Sequence, residues 1–257
     1  GVLTQPEKAR GRGKESSSSP AAQAAGKAGI PVNTGKPSSP ETMEWIRNLA
    51  PEVVVVAAYG RIFKKEFLEH PPQGVLNIHP SLLPRWRGAS PIHSALLAGD
   101  AMTGVCVMKL VEELDSGPVF ARKEIQILPE DDRGSLEAKL AGLGAELLIS
   151  VFSHLSAGPS PQASEGITYC PKLGSEDEKI RWKENAVSCW NRVRAFSPNP
   201  GAWFSLPKKG GGDSKPEICK VSLASPVARS SHGEEKIAGG SVLGQGPGHG
   251  ILVACEG

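Results

Sequence analysis

The chain has 257 residues, of which 39% are hydrophobic and 22% charged, and its formal net charge at pH 7 is +2. This balance allows a packed core and excludes a wholly disordered chain, while the small net charge means that any cationic surface for nucleic acid has to be local. No apolar run reaches the length of about 18 residues that a membrane-spanning helix needs, so the sequence predicts no transmembrane helix.

The first part of the chain alternates between polar connections and regular elements. A polar, basic and serine-rich loop is predicted over residues 4–20, and an Ala-rich stretch at 21–29 predicts a helix. A second helix is predicted over 38–49, where a serine cap, an early proline and an acidic first turn come together. The β-branched run at 52–60 then predicts a parallel strand.

Strands and helices continue to alternate beyond this point. Strands are predicted at 74–79, 103–111 and 118–127, and helices at 89–100 and about 133–156. Such alternation is typical of an α/β fold with an open sheet covered by helices. We therefore predict a Rossmann-like, open and mostly parallel sheet.

The composition changes after residue 156, where a connection rich in Pro, Ser and Gly leads to one helix and several short strands. Short strands separated by Gly and Pro predict an all-β module, such as a small barrel. We accordingly predict an α/β domain at 1–160, a linker at 161–179 and a β-barrel domain at 180–257. The abrupt strand-like ends "GVL" and "GILVACEG" predict that the chain is a piece of a longer protein.

The stretch "NIHPSLLPRWRGASPI" holds the candidate catalytic residues. Asn77 and His79 are two positions apart on a strand, so their side chains share a face, at the strand end where α/β sheets bind ligands. Asp115 follows the next strand and is expected at the same sheet edge. An amide, an imidazole and a carboxylate suit acyl transfer without a covalent nucleophile. Spacing alone also allows Asn77 to cap a turn and His79 to be an ordinary strand-end histidine.

Four motifs occur here in a fixed order: Asn-x-His, Ser-Leu-Leu-Pro, a glycine-containing turn and a later Asp-x-Gly. In these motifs the sequence resembles the 10-formyltetrahydrofolate-dependent formyltransferases. The resemblance implies that Asn77, His79 and Asp115 are the catalytic set and that 10-formyltetrahydrofolate is the co-substrate. It also implies an OB-like C-terminal barrel, and that the first strand and helix of the family fold, together with the last barrel strands, are missing from this chain.

The same resemblance implies a folate-binding set in three segments: the Ser-Leu-Leu-Pro turn, the stretch after the preceding strand, and the turn before the aspartate. These residues are Ser81, Leu82, Leu83, Pro84, Arg61, Ile62, Phe63, Glu113 and Leu114.

Three further segments, "TQPEKARGRGK", "RWRGASPI" and "IRWKENAVSCWNRVRAFSPNPGAWF", resemble family members that act on a charged tRNA. The implied activity is transfer of the formyl group to the α-amine of initiator methionyl-tRNA for translation initiation. Lys8, Arg10, Arg12 and Lys14 alternate along the first segment and are predicted to bind the tRNA backbone, although a solvated loop is the alternative. Lys8 falls where the family has an arginine, which keeps the charge and loses the planar fork.

Other interpretations stay open. The acceptor could instead be a sugar nucleotide, glycinamide ribonucleotide or, in a hydrolase, water, and the chain could be a catalytically decayed RNA-binding module. No metal site is predicted, because the remaining histidines lack cysteine or carboxylate partners at ligand spacing. We further expect a monomer in a mitochondrion or plastid, or alternatively in a bacterial cytoplasm, with any targeting segment outside this chain.

Overall fold

A computed structural model describes residues 1–10, 15–206, 216–227, 238–245 and 251–255. The helices within these residues are α1 (Pro20–Lys27), α2 (Pro40–Leu49), α3 (Lys65–Glu69), α4 (Pro91–Ala98), α5 (Arg133–Ser153) and α6 (Ala186–Phe196). The strands up to the end of α5 are β1 (Val2–Leu3), β2 (Lys8–Arg10), β3 (Glu15–Ser17), β4 (Val32–Asn33), β5 (Val54–Ala57), β6 (Val75–His79), β7 (Arg87–Gly88), β8 (Met102–Lys109) and β9 (Val119–Gln126). The later strands are β10 (Tyr169–Cys170), β11 (Ala202–Leu206), β12 (Glu217–Val221), β13 (Val242–Gln245) and β14 (Ile251–Val253).

The chain divides into two compact units. Unit 1 comprises Gly1–His79, Cys106–Arg122 and Leu147–Ala163, and unit 2 comprises Pro80–Val105, Lys123–Glu146 and Ser164–Gly257.

The central sheet has the strand order β5-β6-β8-β9. β5 runs parallel to β6, as β1 does to β4, and this agrees with the predicted α/β class. β8 runs antiparallel to β6, with His79 opposite Cys106 and Leu76 opposite Lys109. The prediction of parallel strands is therefore wrong for this pair, because the order strand-helix-strand does not determine whether the connection crosses the sheet or returns beside it.

The predicted loop over residues 4–20 contains regular structure. β2 and β3 form an antiparallel pair on either side of residues 11–14, with the backbone of Lys8 opposite Ser17 and Arg10 opposite Glu15. Its sequence lacks alternating apolar residues, the signal by which strands are recognised, so the prediction of a loop was wrong for these strands. The helix α2 was predicted correctly, and Ser39 Oγ accepts a hydrogen bond from Thr42 N as its N-cap.

Two apolar clusters form the core of unit 1. The first joins α2, α3 and the sheet, and its buried residues are Met43, Ile46, Phe67, Leu68 and Val75. The second is built on Leu76, Val107 and Val151, with partly buried residues of α5 and β9 packed around them. Both clusters lie against the strands that carry the candidate site, so their packing fixes β6 in place.

In unit 2, α6 packs against α4, and the rings of His93 and Phe196 lie 5.5 Å apart. Arg194 of α6 donates hydrogen bonds to the carbonyls of Leu128 and Asp131, just before α5. Asp131 is 2% exposed and pairs with Lys139. Burial by itself would raise the pKa of Asp131. The hydrogen bonds from Lys139, Leu128 N and Ser135 outweigh burial, so the pKa is lowered.

The C-terminal strands differ from the prediction. β11 pairs with β12 and β13 pairs with β14, both antiparallel, as two separate two-stranded sheets. Within the described residues these strands do not close into a barrel, so the predicted OB-like barrel is not confirmed. No helix in this described part has the length and apolar character needed to cross a membrane.

Leu76 tests the core that supports β6. It is fully buried in the second cluster, so we expect Leu76→Ala to lower the free energy of unfolding by about 2–5 kcal/mol in urea denaturation. Leu223 is 87% exposed, and we expect Leu223→Ala to change it by less than about 0.5 kcal/mol. Equal losses in the two variants would contradict the assignment of Leu76 to the core.

Candidate active site

The carboxyl end of β6 carries two polar side chains on one face. Asn77 and His79 are two residues apart, and alternation along a strand points both to the same side of the sheet. His79 is 4% exposed and Asn77 is partly exposed. The flanking strands β5 and β8 hydrogen-bond to this part of β6, so both side chains project from a fixed backbone.

Asp115 lies beside the imidazole. Its Oδ2 is 3.8 Å from His79 Nδ1, and their side chains are 11% and 4% exposed. The separation suits an ion pair with a protonated imidazole and exceeds a direct hydrogen bond. Asp115 does not reach His79 in the way that the sequence predicts, from the carboxyl end of a strand parallel to β6. Antiparallel β8 ends at Lys109 opposite Leu76, and it is the loop before β9 that brings Asp115 to His79.

The turn that carries Asp115 has a constrained backbone. Asp115 has a φ of 46°, in the left-handed region that costs energy for residues other than glycine. At Gly117, a Cβ would lie only 1.9 Å from the carbonyl oxygen of Lys109, so the chain passes this carbonyl as closely as glycine allows. Ser116 N and Oγ both donate hydrogen bonds to the carbonyl oxygen of Glu113, which closes the turn.

A further side chain, absent from the sequence prediction, holds this turn. Gln162 Nε2 donates to the carbonyl oxygens of Asp115 and Gly117, both at 2.8 Å. Its segment is anchored by Val119 and Ser160, which exchange backbone hydrogen bonds of 2.8 and 2.9 Å. Gln162 lies in a connection without periodicity, and no local pattern distinguishes it from its polar neighbours.

The predicted folate residues after β5 also lie in unit 1. Arg61 donates to Gln5 Oε1, and Gln5 Nε2 donates to the carbonyl of Tyr59, which fixes the start of this segment. Phe63 stacks between Tyr59 and Phe67, with centroid distances of 5.6 and 4.6 Å. Burial raises the pKa of the Tyr59 hydroxyl, and the nearby Arg61 opposes this rise in part. Ile62 is 96% exposed.

The other predicted folate residues lie in two places. Glu113 and Leu114 are exposed in the turn before Asp115, in unit 1. The segment 81–84 follows His79 in the chain and belongs to unit 2. There Ser81 is fully buried and its Oγ donates to the carbonyl of Arg85, Leu82 is partly buried, Leu83 is buried, and the Leu83–Pro84 peptide is cis.

The predicted tRNA-binding residues fall on β2 and the residues that follow it. For Lys8 and Arg10 the structure describes the backbone in β2. Arg12 and Lys14 lie outside the described residues. Within the described ranges, no group of three or more His, Cys, Asp or Glu side chains is arranged to hold a metal ion.

Residues 1–152 match the formyl transferase family, and residues 172–257 match the formyl transferase C-terminal domain. The chain therefore belongs to the formyl transferase family. This confirms the family that the motifs around Asn77 and Asp115 indicated.

Several bacterial relatives bear the name methionyl-tRNA formyltransferase. The protein of Dictyoglomus turgidum is 46% identical over 78% of this chain and 66% of its own length. That of Aromatoleum aromaticum is 43% identical over 99% of this chain and 77% of its own length. This chain therefore spans between 66% and 77% of the length of these two relatives.

Solved structures share the fold at low sequence identity. A sugar N-formyltransferase from a Shewanella species has a TM-score of 0.64 at 19% identity, over 80% of this chain and 81% of its own. HypX from Aquifex aeolicus, in complex with tetrahydrofolic acid, has a TM-score of 0.60 at 18% identity, over 80% of this chain and 36% of its own. The structural similarity supports the predicted Rossmann-like fold. At identities this low it says nothing about the acceptor.

Gly117 tests whether the tight turn sets the position of Asp115. We expect Gly117→Ala to lengthen the 3.8 Å distance between His79 Nδ1 and Asp115 Oδ2, because the new Cβ collides with the Lys109 carbonyl. A crystal structure of the variant measures this distance, and denaturation should show a loss of about 1–3 kcal/mol.

The matched control is Gly142→Ala in α5, where nothing lies within 4 Å of the added Cβ. Alanine is the better helix former, so this variant should be unchanged or more stable by up to about 1 kcal/mol. An unchanged distance in Gly117→Ala would contradict the role given to this glycine.

Proposed function

We propose that this protein transfers the formyl group of 10-formyltetrahydrofolate to the α-amine of initiator methionyl-tRNA. The observation that carries the proposal is the buried pair of His79 and Asp115, 3.8 Å apart, with Asn77 on the same strand face as His79. This constellation occurs in a formyl transferase chain whose bacterial relatives are named methionyl-tRNA formyltransferases.

In this proposal Asn77 and His79 bind the oxygen on which negative charge develops. The Asn77 amide supplies an N–H, and His79 in its protonated form supplies a second donor to the same oxygen. Donors that are aimed before the reaction begins need no reorganisation as the charge appears, and each contributes a large part of the rate enhancement. The fixed backbone of β6 provides this orientation.

Asp115 acts on His79. Its carboxylate, 3.8 Å from the imidazole, holds the ring in place and helps to move the proton. The bond between the amine nitrogen and the formyl carbon forms, and the bond from that carbon to N10 of the folate breaks. One proton passes from the amine to N10, so the transfer is balanced without a covalent bond to the protein.

The folate-binding set remains part of the proposal. Ile62 is 96% and Leu114 59% exposed, and both belong to unit 1, which also carries the catalytic candidates. Such exposed apolar side chains suit a flat ring, because covering them removes about 25 cal/mol of unfavourable free energy per Å² of apolar area. Arg61, Phe63 and Glu113 flank them in the chain, and the predicted set also includes Ser81, Leu82, Leu83 and Pro84.

The cationic residues of the first segment are proposed to bind the tRNA. Lys8 and Arg10 belong to β2, and Arg12 and Lys14 follow in the sequence. A strand pair can carry such charges along a phosphate backbone, which gives binding that weakens as salt rises. This part of the proposal rests on the sequence and on the backbone of β2 and β3.

The alternative acceptors differ in what they need from the protein. A sugar nucleotide or glycinamide ribonucleotide does not require the cationic segment, and the sugar N-formyltransferase structure is similar in fold alone. A decayed RNA-binding module does not require the His79–Asp115 pair or the constrained turn around it. Initiator methionyl-tRNA accounts for both features.

The setting of the reaction is also a proposal. The domain limits at 1–160, 161–179 and 180–257, and a monomeric state, stay predictions. The relatives named above come from bacteria, which supports the bacterial alternative for the compartment over a mitochondrion or plastid.

The catalytic roles predict a selective loss of turnover. We expect Asn77→Ala and Asp115→Ala each to lower kcat by about 10²–10³-fold, because each removes a group that acts on the developing charge. Transfer of labelled formyl groups to methionyl-tRNA measures kcat, and filter binding measures an unchanged affinity for the tRNA.

The control is Asn48→Ala, at an exposed asparagine of α2, which should keep normal turnover. Near-normal kcat in Asp115→Ala would contradict the role of the carboxylate.

The choice of acceptor is tested directly. Purified protein with labelled 10-formyltetrahydrofolate should label methionyl-tRNA and leave a sugar nucleotide and glycinamide ribonucleotide unlabelled. Methionyl-tRNA formylation should also fall steeply with added salt, because binding a phosphate backbone releases counterions. Labelling of a nucleotide substrate instead would replace the proposed acceptor.

A further inference from the structure

Gln162 links the candidate site to a segment far along the chain. Its side-chain NH₂ group donates at 2.8 Å to the carbonyl of Asp115 and at 2.8 Å to that of Gly117, which lie 47 and 45 residues earlier. Both carbonyls belong to the turn that carries the carboxylate facing His79. One partly buried side chain therefore engages the turn at two points, on the Asp115 and Gly117 carbonyls.

The turn needs such a restraint. Asp115 has a left-handed backbone, a strained conformation that persists where the surroundings enforce it. The carbonyls of Asp115 and Gly117 sit in a buried turn, where a backbone acceptor without a partner is costly. The amide of Gln162 donates a hydrogen bond to each of these carbonyls and restrains the turn.

We propose that Gln162 is a positioning residue for the reaction: its amide holds the 115–117 turn so that the Asp115 carboxylate stays beside the His79 imidazole. This inference rests on the proposed function, because it assigns Gln162 an effect through Asp115. Glutamine suits the task because its NH₂ group has two hydrogens, one for each carbonyl.

The segment that delivers Gln162 has its own anchor. Val119 and Ser160 hold it to β9 through two backbone hydrogen bonds, which do not involve the Gln162 side chain. Removal of the amide therefore leaves the segment attached and the fold intact. The effect should appear in the rate, together with a modest loss of stability from the two carbonyls that lose their donor.

The test uses Gln162→Glu, which keeps the shape but presents a carboxylate that cannot donate, and Gln162→Leu, which removes the amide without adding charge. We expect kcat for methionyl-tRNA formylation to fall by about 10- to 100-fold in both, the effect of losing two ordinary hydrogen bonds. KM for the folate and for the tRNA should stay within about twofold, and the unfolding temperature should fall by no more than about 10 °C, so that both variants remain folded at the assay temperature.

The matched control is Gln23→Glu in α1. Gln23 also donates its amide to a backbone carbonyl, that of Ser18, in an exposed position. The same chemical change should there leave kcat, KM and the unfolding temperature unaltered.

A double-mutant cycle separates positioning from a general structural effect. In an Asp115→Asn background, measured in single turnovers, Gln162→Glu should cause little further loss, because its effect passes through the carboxylate already removed. Losses that multiply, normal kcat in both single variants, or a fall in unfolding temperature that accounts for the lost activity would each overturn the positioning role. A wild-type protein inactive on methionyl-tRNA would instead overturn the proposed function.

Discussion

The antiparallel pairing of β8 with β6 is the constraint on which the candidate site depends. β8 ends at Lys109, opposite Leu76, and His79 lies three positions further along β6, about 10 Å away. The loop between β8 and β9 has to run back over this distance to bring a carboxylate to the imidazole. This loop contains the left-handed backbone at Asp115 and the close passage of Gly117 beside the Lys109 carbonyl, and it accepts the two hydrogen bonds from Gln162.

The sequence allowed the strand-borne half of the site to be predicted from local geometry. Asn77 and His79 follow from two-residue periodicity and from the position of a strand end, which neighbouring residues determine. Asp115 lies beside His79, as the sequence predicts, but the strand before it runs antiparallel to β6, and strand direction depends on non-local pairing. Gln162 could not be found, because its partners lie 45 and 47 residues away and its own surroundings carry no pattern.

The second unit shows the same division between local and non-local information. The one helix predicted after the connection that follows residue 156 is α6, and the side chain of Asn185 accepts a hydrogen bond from Ser188 N as its N-cap. Its attachment to α4, and the bonds from Arg194 to the carbonyls before α5, depend on long-range packing and went unpredicted. The barrel prediction likewise depended on how strands join, and the described strands form separate pairs.

The link between Gln162 and the 115–117 turn bears on when the protein becomes active during its own synthesis. A ribosome adds Asp115 to the growing chain 47 residues before it adds Gln162. The strands around His79 can pair in that interval, before the chain contains the side chain proposed to hold the 115–117 turn. Under that proposal, the nascent polypeptide can form the sheet that carries His79 earlier than it can fix the carboxylate beside it.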